Sequence, residues 1–277
     1  METNFFFKYR SITACMKEAY NLISDQLKPL LKATWWAVGI YAIFMAITIY
    51  FRLPNKQLHD WGLSNPWASY IVQTLIYLAT WLTSFLTGAS LWKWLNNKPL
   101  LYNLWRLGLL TILADVFVGI IITIYPIATA SLPLVWNIIV GFCLLVVAII
   151  VYLPFANITP AWLLYVGADF HPWQSYKQGL RHLGSILLLG FLSLLIIAIL
   201  SGFILAPAMV LTGAQLSSQL GALNGDSLGV PIYFTPLLIF ILVLSVFILF
   251  YVVSWMLLAL VYLYGSNTEK DKKRKEA

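Results

Sequence analysis

Six long apolar runs divide this 277-residue chain into seven polar segments, and lysine and arginine crowd into alternate ones. With the runs taken as residues 33–51, 67–92, 107–125, 132–153, 184–205 and 235–264, the polar segments hold 5, 2, 3, 0, 2, 0 and 5 basic residues in chain order. The odd-numbered segments therefore carry 15 of the 17 basic residues and the even-numbered ones 2. Basic residues flanking a span favour the cytoplasmic side, so this partition predicts both termini in the cytoplasm and three outward loops. Each run approaches or exceeds the ~20 residues that a helix needs to cross a ~30 Å hydrocarbon core.

Composition supports the same class. Only 10% of residues are charged and 61% are hydrophobic, against roughly 25% charged in soluble domains, and the mean hydropathy is +0.85. A transmembrane β-barrel would show alternating segments of about ten residues, not continuous apolar runs. The expected fold is all-α and polytopic, with an N-terminal amphipathic interfacial helix, six transmembrane helices and a second short interfacial helix before the fifth span. Three regions follow: a cytoplasmic amphipathic segment over 1–32, a six-helix transmembrane domain over 33–265, and a cytoplasmic polybasic tail over 266–277, expected to be disordered.

The first 30 residues carry Lys8, Arg10, Lys17 and Lys28 and lack an apolar core with a small-residue cleavage site. The first span is accordingly expected to be an uncleaved anchor. Cys15 falls in the N-terminal segment and Cys143 in the fourth run, at depths too different for a disulfide. The net charge of +7 reflects topology, and neither nucleic acid nor any cofactor or metal is expected as a partner. Membrane lipids are the expected partners; a protein partner or a homo-oligomer stays open.

Before the first run, Ser11 is placed to cap a helix whose apolar residues Ile12, Cys15, Met16, Ala19 and Ile23 recur at three- and four-residue steps. This stripe needs cover, so the helix is expected along the inner membrane face, either as a feeder helix packed on the bundle or as an independent lipid-sensing element, with Pro29 breaking or bending it. Pro154 and Pro160 interrupt the stretch 152–162, leaving open whether the fourth helix kinks and continues or stops there. Pro172 suits the first turn of a short helix through Trp173, Tyr176 and Leu180. The outer loop 206–234 has Asp226 as its only charge, and its 209–223 portion is compatible with a short helix on the outer surface.

One polar constellation lies inside the apolar runs. Asp115 sits nine residues into the third run, roughly 13 Å from its inner end at 1.5 Å per residue, a mid-bilayer depth. Ionisable groups at that depth are costly and commonly face the bundle interior or a wet cavity. Gly108, Thr111, Asp115, Gly119 and Thr123 share one side of their helix. In the second run Ser69, Gln73, Tyr77, Thr80, Ser84 and Thr87 form a polar stripe, with Ile71, Leu75, Leu78, Leu82 and Phe85 on the reverse. The stripe is expected to face protein, the reverse lipid, and the stripe's Tyr77, Thr80 or Ser84 to meet Asp115. The candidate site is thus Asp115, Gln73, Tyr77, Thr80, Ser84 and Thr111. It supports two readings, a structural contact between helices or a proton- or cation-coupled transport path.

No H-E-x-x-H zinc pair, G-x-S-x-G nucleophile elbow or P-loop occurs. His59 falls in an outer segment and His171 and His182 in an inner one, which separates them as metal ligands. The amphipathic segment 11–27, the six runs and the short helix 172–183 together resemble a loose group of bacterial six-span inner-membrane proteins. That group is similar to the membrane domain of some glycerophosphodiester phosphodiesterases. The resemblance implies a bacterial inner membrane and a role near lipids, and carries over no functional residue. The leading expectation is a non-enzymatic scaffold or accessory protein in lipid or envelope processes. The alternatives are a small transporter using Asp115 and an intramembrane lipid enzyme.

The charge partition makes a direct prediction. Reporter fusions at residues 10 and 272 should read cytoplasmic, and fusions near Asn55, Ala130 and Asp226 should read external. An external C-terminal tail would mean that one span had been miscounted.

Overall fold

A computed structural model describes residues 5–53, 62, 64–129, 133–164, 171–223, 231 and 233–276. The described residues form helices and no strand. In chain order these are α1 (Ile12–Asp25), α2 (Leu27–Arg52), α3 (Pro66–Asn96), α4 (Leu100–Thr129), α5 (Leu134–Tyr152), α6 (Phe155–Leu164), α7 (Pro172–Arg181), α8 (Leu183–Leu223) and α9 (Phe234–Glu276). Six stretches are long and apolar enough to cross a membrane: Leu27–Arg52, Pro66–Asn96, Leu100–Pro126, Val135–Leu164, Leu183–Ser218 and Phe234–Glu276. They fall on the six apolar runs, and the chain is an all-α polytopic protein.

Except for α5, the spanning helices overrun their apolar runs at both ends, most of all α8 and α9 at their C-terminal ends. The polybasic tail is helical through Glu276, not disordered. Its Lys, Arg and Glu residues are good helix formers, the span already supplies the helix nucleus, and Lys273, Arg274 and Lys275 sit favourably against the negative end of the helix dipole. Likewise α8 continues past Pro207 through Leu223, so 209–223 extends the fifth span instead of forming a separate helix. A proline is tolerated inside a membrane helix when neighbouring groups satisfy the freed carbonyl. The remainder of the expected outer loop, 224–230, lies outside the described residues.

At Pro154 the chain stops and restarts. Leu153 still donates its N–H to the Ile149 carbonyl at 3.0 Å, and α6 begins at Phe155 with Pro160 inside it. The break creates a close approach: a Cβ on Gly179 of α7 would lie 2.9 Å from the Pro154 Cα. Buried Asn157 donates to the Ser175 carbonyl at 3.1 Å, fastening α6 to α7. Pro172 occupies the first turn of α7, as its fixed φ favours.

The chain divides into two compact units. One comprises residues 1–27, 92–193 and 255–277, the other 28–91 and 194–254. In the first unit, α1 lays Cys15, Met16, Ala19 and Leu22 into a core with Trp92, Leu163, Leu189 and Leu258. Ser11 caps α1 by accepting from the Ala14 N–H at 3.3 Å. The Trp255 indole donates to the Met16 carbonyl at 3.0 Å. The apolar stripe thus finds its cover in protein, and Gln26 separates α1 from α2, with Pro29 in the first turn of α2.

The N-terminal segment is locked to the end of α9. The Ser266 hydroxyl accepts from the Arg10 N–H at 2.8 Å and donates to the Arg10 carbonyl at 2.9 Å. The Arg10 guanidinium lies 5.0 Å from the centre of the buried Tyr262 ring, with the Phe6 ring 5.0 Å from that ring on another side. Gly265 makes the approach possible, because a Cβ there would collide with the Phe6 carbonyl. Between α3 and α4, Asn97 adopts a left-handed conformation (φ 53°) as a helix C-terminal residue, followed by Pro99 at the entry to α4. Asn96 and the fully buried Asn103 exchange amide hydrogen bonds of 2.8 and 3.2 Å across this turn, and Asn96 also donates to the Leu163 carbonyl.

In the second unit, Ala46 and Ala208 let α2 and α8 pack closely beside Leu238 and Leu242. Polar bonds join the helices: Thr34 to the Tyr251 hydroxyl at 3.1 Å, and Ser245 to the Ile204 carbonyl at 3.1 Å.

Gly265→Val should therefore dislodge the N-terminal segment, at an overpacking cost of about 1–3 kcal/mol. Cys15 reports the event. It is fully buried, and burial raises its thiol from 9.0 to about 11 against the opposing pull of Arg10. Maleimide labelling of Cys15 in a Cys143→Ala background should be very slow in the parent protein and fast in Gly265→Val. The unfolded thiol ionises at lower pH than the folded one, so Cys15 should also lower stability as pH rises from about 9 towards 11 and leave it unchanged below 9. Equal labelling rates in both proteins would show that Gly265 does not hold the segment.

Candidate functional site

The polar stripe on α3 lies in the second unit. Its reverse face behaves as expected in four positions of five: Ile71, Leu75, Leu78 and Leu82 are exposed, whereas Phe85 is buried with Trp81 edge-on at 4.4 Å. Phe85 is the correction. The edge-on contact with Trp81 is a favoured aromatic geometry, which lipid contact would not supply. The stripe itself, expected to face protein, does not do so throughout: Gln73 and Tyr77 are exposed, and Gln73 donates to Ser69 at 3.2 Å on its own helix.

Tyr77, Thr80 and Ser84 share a groove of ≈ 660 Å³ with Thr48 and Arg52 of α2. The Arg52 Nε donates to the Tyr77 hydroxyl at 2.6 Å, and its guanidinium carbon lies 5.1 Å from the Tyr77 ring centre. The Thr48 and Thr80 hydroxyls approach to 2.8 Å while each also reaches a carbonyl of its own helix, Phe44 at 2.9 Å and Ile76 at 2.8 Å. Three contacts for two hydroxyl protons means that one is made at the expense of another. Ser84 donates to the Trp81 carbonyl at 2.6 Å. The groove is apolar over most of its wall and polar where Arg52, Tyr77 and the threonines meet. Such a surface suits a chain-like apolar molecule with an anionic end.

Asp115 and Thr111 belong to the first unit. Asp115 is exposed on α4, one residue beyond buried Ala114, and Thr111 is half-buried and donates to the Leu107 carbonyl at 2.9 Å. The structure thus gathers the three α3 residues with partners from α2 that the sequence reading did not nominate, Thr48 and Arg52. The available signal was the position of Arg52: it is one of only two basic residues in the second polar segment and ends the first span.

A second polar cluster also escaped sequence reasoning. Buried His182, between α7 and α8, places Nε2 3.1 Å from the Asp271 carboxylate, and Arg181 approaches the other carboxylate oxygen at 3.6 Å. Gln178 donates to Thr268 at 3.2 Å one turn away. These bonds explain why the tail is held as helix. Among the described residues no group of three or more His, Cys, Asp or Glu side chains is close enough to hold a metal.

The fold and these sites define a multi-pass membrane protein with a mixed apolar and cationic groove. No family model, curated protein or solved structure matches the chain.

A double-mutant cycle tests the groove. Thr48→Val and Thr80→Val should couple by only about 0.6 kcal/mol, the typical size of a hydrogen bond between membrane helices. Reversible unfolding in bicelles reads it, and a coupling above 2 kcal/mol would contradict the shared-proton picture.

Proposed function

We propose that this chain is a non-enzymatic accessory protein of lipid or envelope processes, seated in a bacterial inner membrane with both termini in the cytoplasm, and that it acts by holding anionic lipid. The orientation rests on the distribution of basic residues along the chain. The observation that supports lipid holding is the groove of Tyr77, Thr80, Thr48 and Arg52, an apolar wall ending in one guanidinium. An acyl chain matches the wall and a phosphate the guanidinium, whose fork suits oxyanions. In the transport alternative, Asp115 carries the coupling proton.

Native mass spectrometry of the full chain, released from mixed micelles of phosphatidylglycerol and phosphatidylcholine, tests this reading. The parent protein should retain phosphatidylglycerol preferentially, and Arg52→Gln should reduce that retention about fivefold, the equivalent of one basic contact. In proteoliposomes carrying a pH dye, Asp115→Asn should behave as the parent does. A proton-coupled flux that Asp115→Asn abolishes would replace this reading with transport. Lipid retention indifferent to Arg52 would remove its support.

A further inference from the structure

Where α7 faces the end of α9, the first unit encloses a cleft of ≈ 580 Å³. Its charged lining is Lys177 and Arg181 from α7 and Lys272, Lys275 and Asp271 from α9. Four cations therefore face one carboxylate, and that carboxylate is already engaged by His182 at 3.1 Å and Arg181 at 3.6 Å. Lys272 and Lys275 are exposed and form no ion pair among the described residues. They lie three apart on α9, on one helix face, so both ammonium groups project to the same side. Gln174 and Ser175 add uncharged hydrogen-bonding groups on the facing helix.

Helix α9 need not have brought these charges together. A flexible polybasic tail would spread its lysines through solvent, where they repel least. Here the anchoring of Asp271 and Thr268 to α7 holds the lysines at the cleft, and the excess of positive charge around it favours an anion there. Beside the cleft, exposed Trp173 stacks on Tyr176 with ring centres 5.8 Å apart, and the Lys177 ammonium lies 5.4 Å from the Trp173 ring centre. An exposed indole with a lysine at its side is the usual anchor at headgroup depth.

We propose that the α7–α9 cleft is a phosphate-binding site, taking the phosphate of an anionic lipid headgroup or of a small soluble phosphate compound. Lys272 and Lys275 supply the charge, Lys177 and Arg181 close the opposite wall, and the Asp271–His182 contact sets the spacing between the two helices. The site shares no residue with the α2–α3 groove. It deepens the lipid reading and rests on it only for the source of the phosphate.

The test uses the full chain in phosphatidylcholine nanodiscs and follows its thermal unfolding. Inorganic phosphate is compared with chloride at equal ionic strength, and discs doped with phosphatidic acid are compared with undoped discs. The Lys272→Gln/Lys275→Gln double variant should weaken phosphate or phosphatidate binding about tenfold or more, as expected for losing two charge-assisted contacts. Lys270→Gln/Lys273→Gln removes the same net charge from positions outside the cleft lining and should change binding less than about twofold. Stabilisation by phosphatidate in the parent that only the first variant loses assigns the site to a lipid headgroup. Stabilisation by inorganic phosphate but not phosphatidate assigns it to a soluble phosphate, and then the lipid reading draws no support from it. No stabilisation beyond chloride by either ligand, or equal weakening in both variants, overturns the proposal. Arg52→Gln should leave this binding untouched, so failure here and failure at the groove are separate results.

Discussion

In hydrocarbon there is no water to satisfy a backbone N–H or carbonyl, and the helical architecture of this protein follows from that constraint. Each apolar run has to close its hydrogen bonds within its own helix, and once a helix is nucleated it extends wherever the following sequence permits. This accounts for the 41 residues of α8 and the 43 of α9, which outrun any bilayer at 1.5 Å per residue. It also accounts for where the chain breaks. Among the described residues, the interruptions occur at polar or proline-bearing segments: Gln26, the Asn97–Pro99 turn, Pro154 and His182.

What the sequence made legible was what depends on local period and charge. The six spans, the Ser11 cap and the proline-initiated α7 all follow from short-range rules, and α1 and α7 match their expected positions to within a few residues. The burial of Cys15, Met16 and Ala19 likewise follows from their spacing. What covers them does not. An amphipathic stripe states that an apolar surface must be covered, and lipid and protein satisfy it equally well; the Trp255 bond to the Met16 carbonyl shows that protein does so here. The helical tail was illegible for a related reason. A run of lysines reads as solvated chain unless something holds it, and the holders, His182 and Gln178, stand 89 and 90 residues away in sequence.

The candidate site shows the same divide. Helical spacing correctly grouped Tyr77, Thr80 and Ser84 on one face, because a shared face is a property of a single helix. The partner of that face is a tertiary fact. Thr48 and Arg52 stand on a different helix: nothing in the spacing of α2 marks Thr48, one hydroxyl among apolar neighbours, and Arg52 stands out only as one of two basic residues in the second polar segment, which does not say what it meets. Asp115 drew attention through its depth and the small, polar face it shares with Gly108, Thr111 and Gly119. Depth measures the cost of a charge, whereas use depends on what surrounds it.

Glycine and serine at the start of the tail show how a small side chain does what a larger one could not. Gly265 removes the Cβ that would strike the Phe6 carbonyl, and the next residue, Ser266, then bonds both the N–H and the carbonyl of Arg10 with one hydroxyl. That pairing satisfies two backbone groups of an extended segment that lacks a helix or sheet of its own. The segment so fixed places Arg10 over Tyr262 and keeps Cys15 dry. Two consecutive residues at the end of a span therefore convert an N-terminal extension into part of a core. The same helix, one turn further on, is held by Thr268 and Asp271 against α7. These contacts, at Ser266, Thr268 and Asp271, hold α9 beyond its last apolar residue as far as Asp271, and the lysines that follow extend a helix that hydrophobicity alone would not have continued.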